Sequence, residues 1–184
     1  MPFTAEQVIT VGQIGFLWHA HFCGAGGFMQ VADYLADGEA GLEAALLAAI
    51  PLARLRGSDA MFRGEAMRYL AELIWNPDAL LFNDQLAWRV IDERTLAVGA
   101  GEGTPRCEVR LTLDEAGDMI GMAADDRPRL EGGKVTSCHW FGRAGTYQSI
   151  GGRRIPICAE VGWILNGVEF VYWRGRVESW RVEA

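Results

Sequence analysis

The stretch MFRGEAMRYLAELIWNP, residues 61–77, decides the fold. From Met61 to Trp75 it is rich in Ala, Met, Leu and Glu, all strong helix formers, and contains no proline. Ser58 or Asp59 is placed to cap the start of a helix. Asn76-Pro77 is placed to stop it, because proline disfavours helical geometry in the residue before it. Phe62, Ala66, Met67, Tyr69, Leu70, Leu73 and Ile74 spread apolar surface over most of the cylinder. Glu65, Arg68 and Glu72, three and four apart, leave one narrow charged stripe. A helix this apolar has to be covered on several sides.

The flanking sequence supplies strands to cover it. Upstream, Phe16, Trp18, Ala20 and Phe22 alternate with Leu17, His19, His21 and Cys23, the period of a strand with one buried face. Phe28–Leu35 reads as a second strand, with Asp33 between Val31 and Leu35 on one face, and Asp37-Gly38 as a turn. The segment from Gly41 to Leu55 reads as a helix or strand interrupted near Pro51. Downstream, strands are expected at Leu86–Ile91, Thr95–Gly99, Cys107–Leu113, Asp118–Ala124, Cys138–Phe141, Thr146–Ile150, Pro156–Leu165, Val168–Trp173 and Arg176–Val182. Asn166-Gly167 is a strong hairpin signal among them. Gly99, Gly101 and Gly103 are read as a hairpin connection. The expected fold is α+β: residues 1–184 as a single domain, with a curved, mainly antiparallel sheet wrapped around or packed on one central helix at about 61–75, and mainly strands over about 86–182.

Composition narrows the function. The 184 residues are 50% hydrophobic and 22% charged, as in a folded domain, and the formal net charge is −7. That sign opposes a polyanionic partner, so nucleic acid is not expected. All but one of the 17 basic residues are arginine, the exception is Lys134, and none precedes Arg54. No apolar run is long enough for a transmembrane helix and no positively charged leader precedes the first apolar residues, so the expectation is a soluble, cytoplasmic protein. The four cysteines form no CxxC pair and are read as free thiols. No phosphate loop, dinucleotide fingerprint or nucleophile elbow occurs, and no cofactor is expected.

Three constellations carry chemistry. His19-x-His21-x-Cys23 puts metal-donor or acid–base side chains on one strand face, with Cys138-His139 as a remote supplement. The plainer reading is a polar strand face without metal. Glu65, Arg68 and Glu72 make either a structural ion network or a ligand or catalytic site. Glu160, interrupting an apolar run, and Trp163 make the third, with Asp33 and Arg174 as further polar contacts; exposed strand placement is the plainer reading of Glu160, and Asp33 is open to the same one.

A resemblance joins these pieces. RGEAMRYLAE (63–72), Trp75-Asn76-Pro77, Trp88 with Ile91-Asp92, DDRPR (125–129), GGRRIP (151–156), EVGW (160–163) and YWRG (172–175) resemble, in this order, a widespread bacterial family of uncharacterised proteins. Trp18, Ala20 and Asp33-Tyr34 are similar to the start of the same pattern, whereas His19 and His21 are not part of it. The resemblance implies no activity. It implies a sheet clasping a helix, similar to that of lipoprotein carriers, and an upstream portion in longer relatives whose lack here favours a homo-oligomer. The leading expectation is a soluble binding protein for a small or elongated, lipid-like apolar ligand with an acidic group. Arg68, Glu65, Asp33, Arg174 and Trp163 would be its contacts. The alternatives are a small hydrolase or isomerase using Glu72 with Glu160, or His19 or His21, and a non-catalytic structural or protein-interaction domain.

Overall fold

The computed structural model describes residues 1–24, 27–46, 50–100 and 107–183. Five strands come first: β1 (Phe3–Ile9), β2 (Phe16–Gly24), β3 (Gly27–Ala36), β4 (Glu39–Leu46) and β5 (Ile50–Arg56). Helix α1 (Asp59–Glu72) runs into a 3-10 turn at Leu73–Trp75 and then the short α2 (Pro77–Phe82). Seven strands follow: β6 (Leu86–Asp92), β7 (Thr95–Ala100), β8 (Cys107–Leu113), β9 (Met119–Glu131), β10 (Lys134–Ile150), β11 (Arg153–Leu165) and β12 (Val168–Arg176). Within each sheet the strands pair antiparallel with their sequence neighbours, giving one five-stranded and one seven-stranded meander. The expected mainly antiparallel sheet and central helix are present, but as two open sheets flanking α1. Met67, Tyr69, Leu70 and Leu73 of the helical segment are fully buried against Phe16 and Leu35 of one sheet and Val109 and Leu111 of the other. The broad apolar surface of the helix has its cause here, since both sheets press on it.

Local chemistry sets the boundaries. The Ser58 side chain caps α1 by accepting from the Met61 N–H, and Asn76 caps α2 by accepting from Ala79, with Pro77 in the first turn where no N–H is needed. Asp37-Gly38, Gly151-Gly152 and Asn166-Gly167 all hold positive φ at both positions, which tight hairpins require.

Several expectations change. Residues 41–55 hold no helix among those described. They belong to the paired strands β4 and β5, and Pro51 is tolerated because β5 is a sheet edge. β1, unread in the sequence, has a mostly exposed pattern and no alternation to betray it. Cys138–Phe141 and Thr146–Ile150 are parts of the single strand β10, which keeps its register with β11 through Thr146 at φ 58°. The expected last strand is absent. β12 stops at Arg176, and the tail carries Trp180 to the end of the helix, where its indole donates to the Trp75 carbonyl. Gly101 and Gly103 of the expected hairpin lie outside the described residues.

Candidate functional site

The register of β2 against β3 pairs Phe16 with Leu35, Trp18 with Asp33 and Ala20 with Val31, and this face meets α1. Asp33 is thereby pushed inward and is 8% exposed. One face of α1 presents Glu65, Arg68 and Glu72 to it. Arg68 donates from Nη1 to Asp33 Oδ2 and from Nε to Glu72 Oε1 at 2.8 Å, while Gln7 of β1 donates to the other Glu72 oxygen. The Arg68 guanidinium also lies 4.6 Å from the Phe16 ring centroid and 5.2 Å from that of Trp18. From the other sheet, the buried Arg127 donates to the Gly64 carbonyl and lies 4.5 Å from the Trp140 ring centroid, with Trp163 beyond at 5.5 Å.

The electrostatics follow from burial. Desolvation, and then the charge of Asp33, push the Glu65 carboxyl up to about 7, against the pull of Arg127 and Arg68. Desolvation also raises Asp33, against the pull of Arg68. Burial opposes the charge on Arg68, but Glu72, Asp33 and Glu65 outweigh it and hold the guanidinium protonated. Two oxygens in this cluster are buried without a hydrogen-bond partner, Asp33 Oδ1 and Glu65 Oε2. Glu65 as a residue is only partly buried, yet this oxygen has no access to solvent.

Asp33, Glu65, Arg68 and Glu72 are thus brought together, with Trp163 joined to them through Arg127. The other expected residues lie elsewhere. Glu160 and Arg174 are on the face of the seven-stranded sheet turned away from α1, where Arg143 and Arg174 both donate to Glu160. The Arg143 hydrogen bond is the main cause that holds Glu160 below its usual range. Trp163 faces inward, so Glu160 and Trp163 occupy opposite faces, and Glu72 and Glu160 share no partner. An open concavity of about 360 Å³, lined by Phe141, Arg143, Ile164 and Glu169 among others, marks that outer face. His19 and His21 are on the outward face of β2, edge to face with each other at 4.6 Å. No three His, Cys, Asp or Glu side chains are arranged to hold a metal among the described residues. All four cysteines are free.

The sequence reading missed Gln7 and Arg127 as site residues and gave no weight to the aromatic line running outward from Trp18. The Phe3 ring lies 5.9 Å from Trp18 and 5.2 Å from Phe22. It also lies 6.4 Å from Trp173 of β12, which in turn is 6.4 Å from Trp75. All five rings are partly buried, and they bridge β1 and β12, the edge strands where the two sheets meet. The alternation that turns Trp18 and Phe22 inward was visible; the approach of Phe3 to Trp173 was not.

The remaining signature residues tie the helix end to its surroundings. Tyr69 and Asn76 both donate to the Thr10 carbonyl, and Asn83 donates to the Tyr69 hydroxyl. The Trp75 indole donates to the Pro156 carbonyl at 2.9 Å, and Arg153 pairs with Asp78. The fold and site therefore define a two-sheet antiparallel protein holding a polar helix stripe whose arginine, and the Arg127 facing it, lie against aromatic rings. The chain belongs to the DUF6544 family, a family of unknown function whose model matches residues 1–175. No curated protein and no solved structure matches it. Among the described residues no helix is long and apolar enough to cross a membrane.

Proposed function

We propose that this protein binds an elongated apolar ligand along the line of rings Phe22, Phe3, Trp18, Trp173 and Trp75, and that it does so without chemistry. The observation that carries the reading is this continuous, partly buried aromatic line at the meeting edges of two sheets that do not close. Rigid aromatic surface left partly accessible suits an alkyl chain or flat hydrocarbon. The clasp-like likeness to lipoprotein carriers is proposed in the same sense. An acidic ligand end was the expectation from sequence, with Arg68 to orient it. Arg68 is already committed to Asp33 and Glu72, so the proposal here is the apolar ligand without that anion contact.

The test uses dodecanol below its solubility limit as an uncharged alkyl probe. Saturable change in tryptophan fluorescence is expected in the native chain, with weakening of at least tenfold in Trp173→Ala. A linear, unsaturable response, or equal binding by the variant, overturns the reading.

A further inference from the structure

The inner cluster is one positive charge short. Asp33, Glu65 and Glu72 supply three carboxylates, while Arg68 and Arg127 supply two guanidiniums. The groups already satisfied are known: Asp33 Oδ2 and Glu72 Oε1 take Arg68, and Glu72 Oε2 takes Gln7. What is left over is two acceptors, Asp33 Oδ1 and Glu65 Oε2, sealed from solvent with no donor beside either. A buried acceptor without a donor loses the hydrogen bonds that water gave it and is destabilising. Such a pair calls for a cation or a hydrogen-bond donor. The aromatic line leads to this point, because Trp18 is the direct cross-strand partner of Asp33 on the inward face and is the ring under Arg68.

We propose that Asp33 and Glu65 form the polar anchor for one monocationic group, the ammonium of an amphiphilic amine whose alkyl chain lies along the aromatic line. This inference rests on the apolar-ligand reading above and adds the class of head group. Without ligand, a proton on Glu65 supplies the missing positive charge of the cluster. Ligand entry exchanges that proton for the ammonium, so charge is conserved. A metal ion is a poorer fit, since no three donor side chains converge here among the described residues. An anionic head group is poorer still, since the unsatisfied atoms are all acceptors.

Burial raises both Asp33 and Glu65, and Glu65 is the one pushed up to about 7. Asp33 faces it from β3, Arg68 and Glu72 from its own helix, and Arg127 from β9. Of the other elements packed on α1, β4 carries Glu43, hydrogen-bonded to Arg56. β8 carries Glu108 and Arg110, paired outward with Arg89 and Asp125, and Cys107, whose thiol burial pushes up to about 11. β7 has no charged residue.

The test compares dodecylamine with dodecanol, both below their aggregation limits, by calorimetric titration of the full chain between pH 5 and 9. Dodecylammonium is expected to bind at least tenfold more tightly than dodecanol at pH 8. Its apparent Kd should weaken about tenfold for each pH unit below 7, because a proton competes for the site, and one proton should be released on binding at pH 6. Dodecanol affinity should not change with pH. In Glu65→Gln, which keeps size and a donor, the amine preference should fall to about twofold while dodecanol binding stays. Equal affinity for the two probes in the native chain, or an amine preference unchanged by pH or by Glu65→Gln, overturns the anchor and leaves the apolar-ligand reading standing. Absence of saturable binding by both probes overturns both. The pH dependence of the native chain decides the matter even where the variant does not fold.

Discussion

Arg68→Met is the most informative single change. Methionine keeps much of the arginine stem and its packing on Phe16 and Trp18 but removes the charge and both forks of the hydrogen bonding. The three side chains involved are well enclosed, at 16% exposure for Arg68, 11% for Asp33 and 12% for Glu72. Two hydrogen bonds to charged partners are lost at roughly 1.5–3 kcal/mol each. Two carboxylates are stranded, and breaking a buried pair in this way typically costs about 3–5 kcal/mol. We expect ΔΔG of about 3–5 kcal/mol by urea denaturation, a fall in Tm of roughly 6–20 °C for a chain of this size. Neutralising the partners as well, in Asp33→Asn/Arg68→Met/Glu72→Gln, should restore at least half of the loss, because the penalty comes from uncompensated charge rather than missing volume. A loss under about 1 kcal/mol for Arg68→Met would place the cluster with ordinary surface ion pairs and refute the argument.

Other perturbations follow from the same contacts. The Glu65 carboxyl binds its proton more tightly in the folded chain, with a pKa of about 7 against 4.5, so its contribution is fully present below pH 4.5 and is lost as pH rises through 7. The decline is about 3 kcal/mol, and Glu65→Gln should flatten it in urea titrations across that window; superimposable profiles would contradict the assignment. Trp75→Phe retains the ring but strands the Pro156 carbonyl. It should cost about 1–2 kcal/mol and lower amide protection along β11, measured by hydrogen exchange. Gly41 faces the Tyr34 ring, whose hydroxyl oxygen would meet an added Cβ at 2.5 Å. Gly41→Ala should therefore destabilise by about 1–3 kcal/mol, and Tyr34→Ser should relieve it, as read by the Tm of the double variant.

The helix was legible because its signals agreed: apolar coverage, a serine cap and an Asn-Pro stop point to the same boundaries. The inward face of β2 was equally plain from period-two alternation, and Asp37-Gly38 and Asn166-Gly167 fixed two hairpins. The break into two sheets was not legible, since nothing in the strand sequences marks that β5 and β6 fail to pair across the helix. Asp33, Arg68 and Glu72 were each singled out, but their contact depends on how β3 docks against α1, a relation between segments 35 residues apart. Of the two readings of Glu160, the exposed strand carboxylate is the one that alternation favours. Ala159, Val161 and Trp163 alternate inward, which sends Glu160 outward to its arginines. Arg127 was hidden by its neighbours: in DDRPR it resembles a solvated run, and the bulge beside it obscures which face it takes.

The meander order has a kinetic consequence. All the strand pairings join sequence neighbours, so either sheet can form from short loop closures alone. Several of the longest-range hydrogen bonds converge on the helix end: Tyr69 and Asn76 to Thr10, 59 and 66 residues away, and Trp75 to Pro156 and Trp180, 81 and 105 residues away. Assembly should then divide into quick formation of two separate ribbons and one slower docking event around residues 69–76. The WNP segment is thereby the place where a chain that folds piecewise becomes a single cooperative unit.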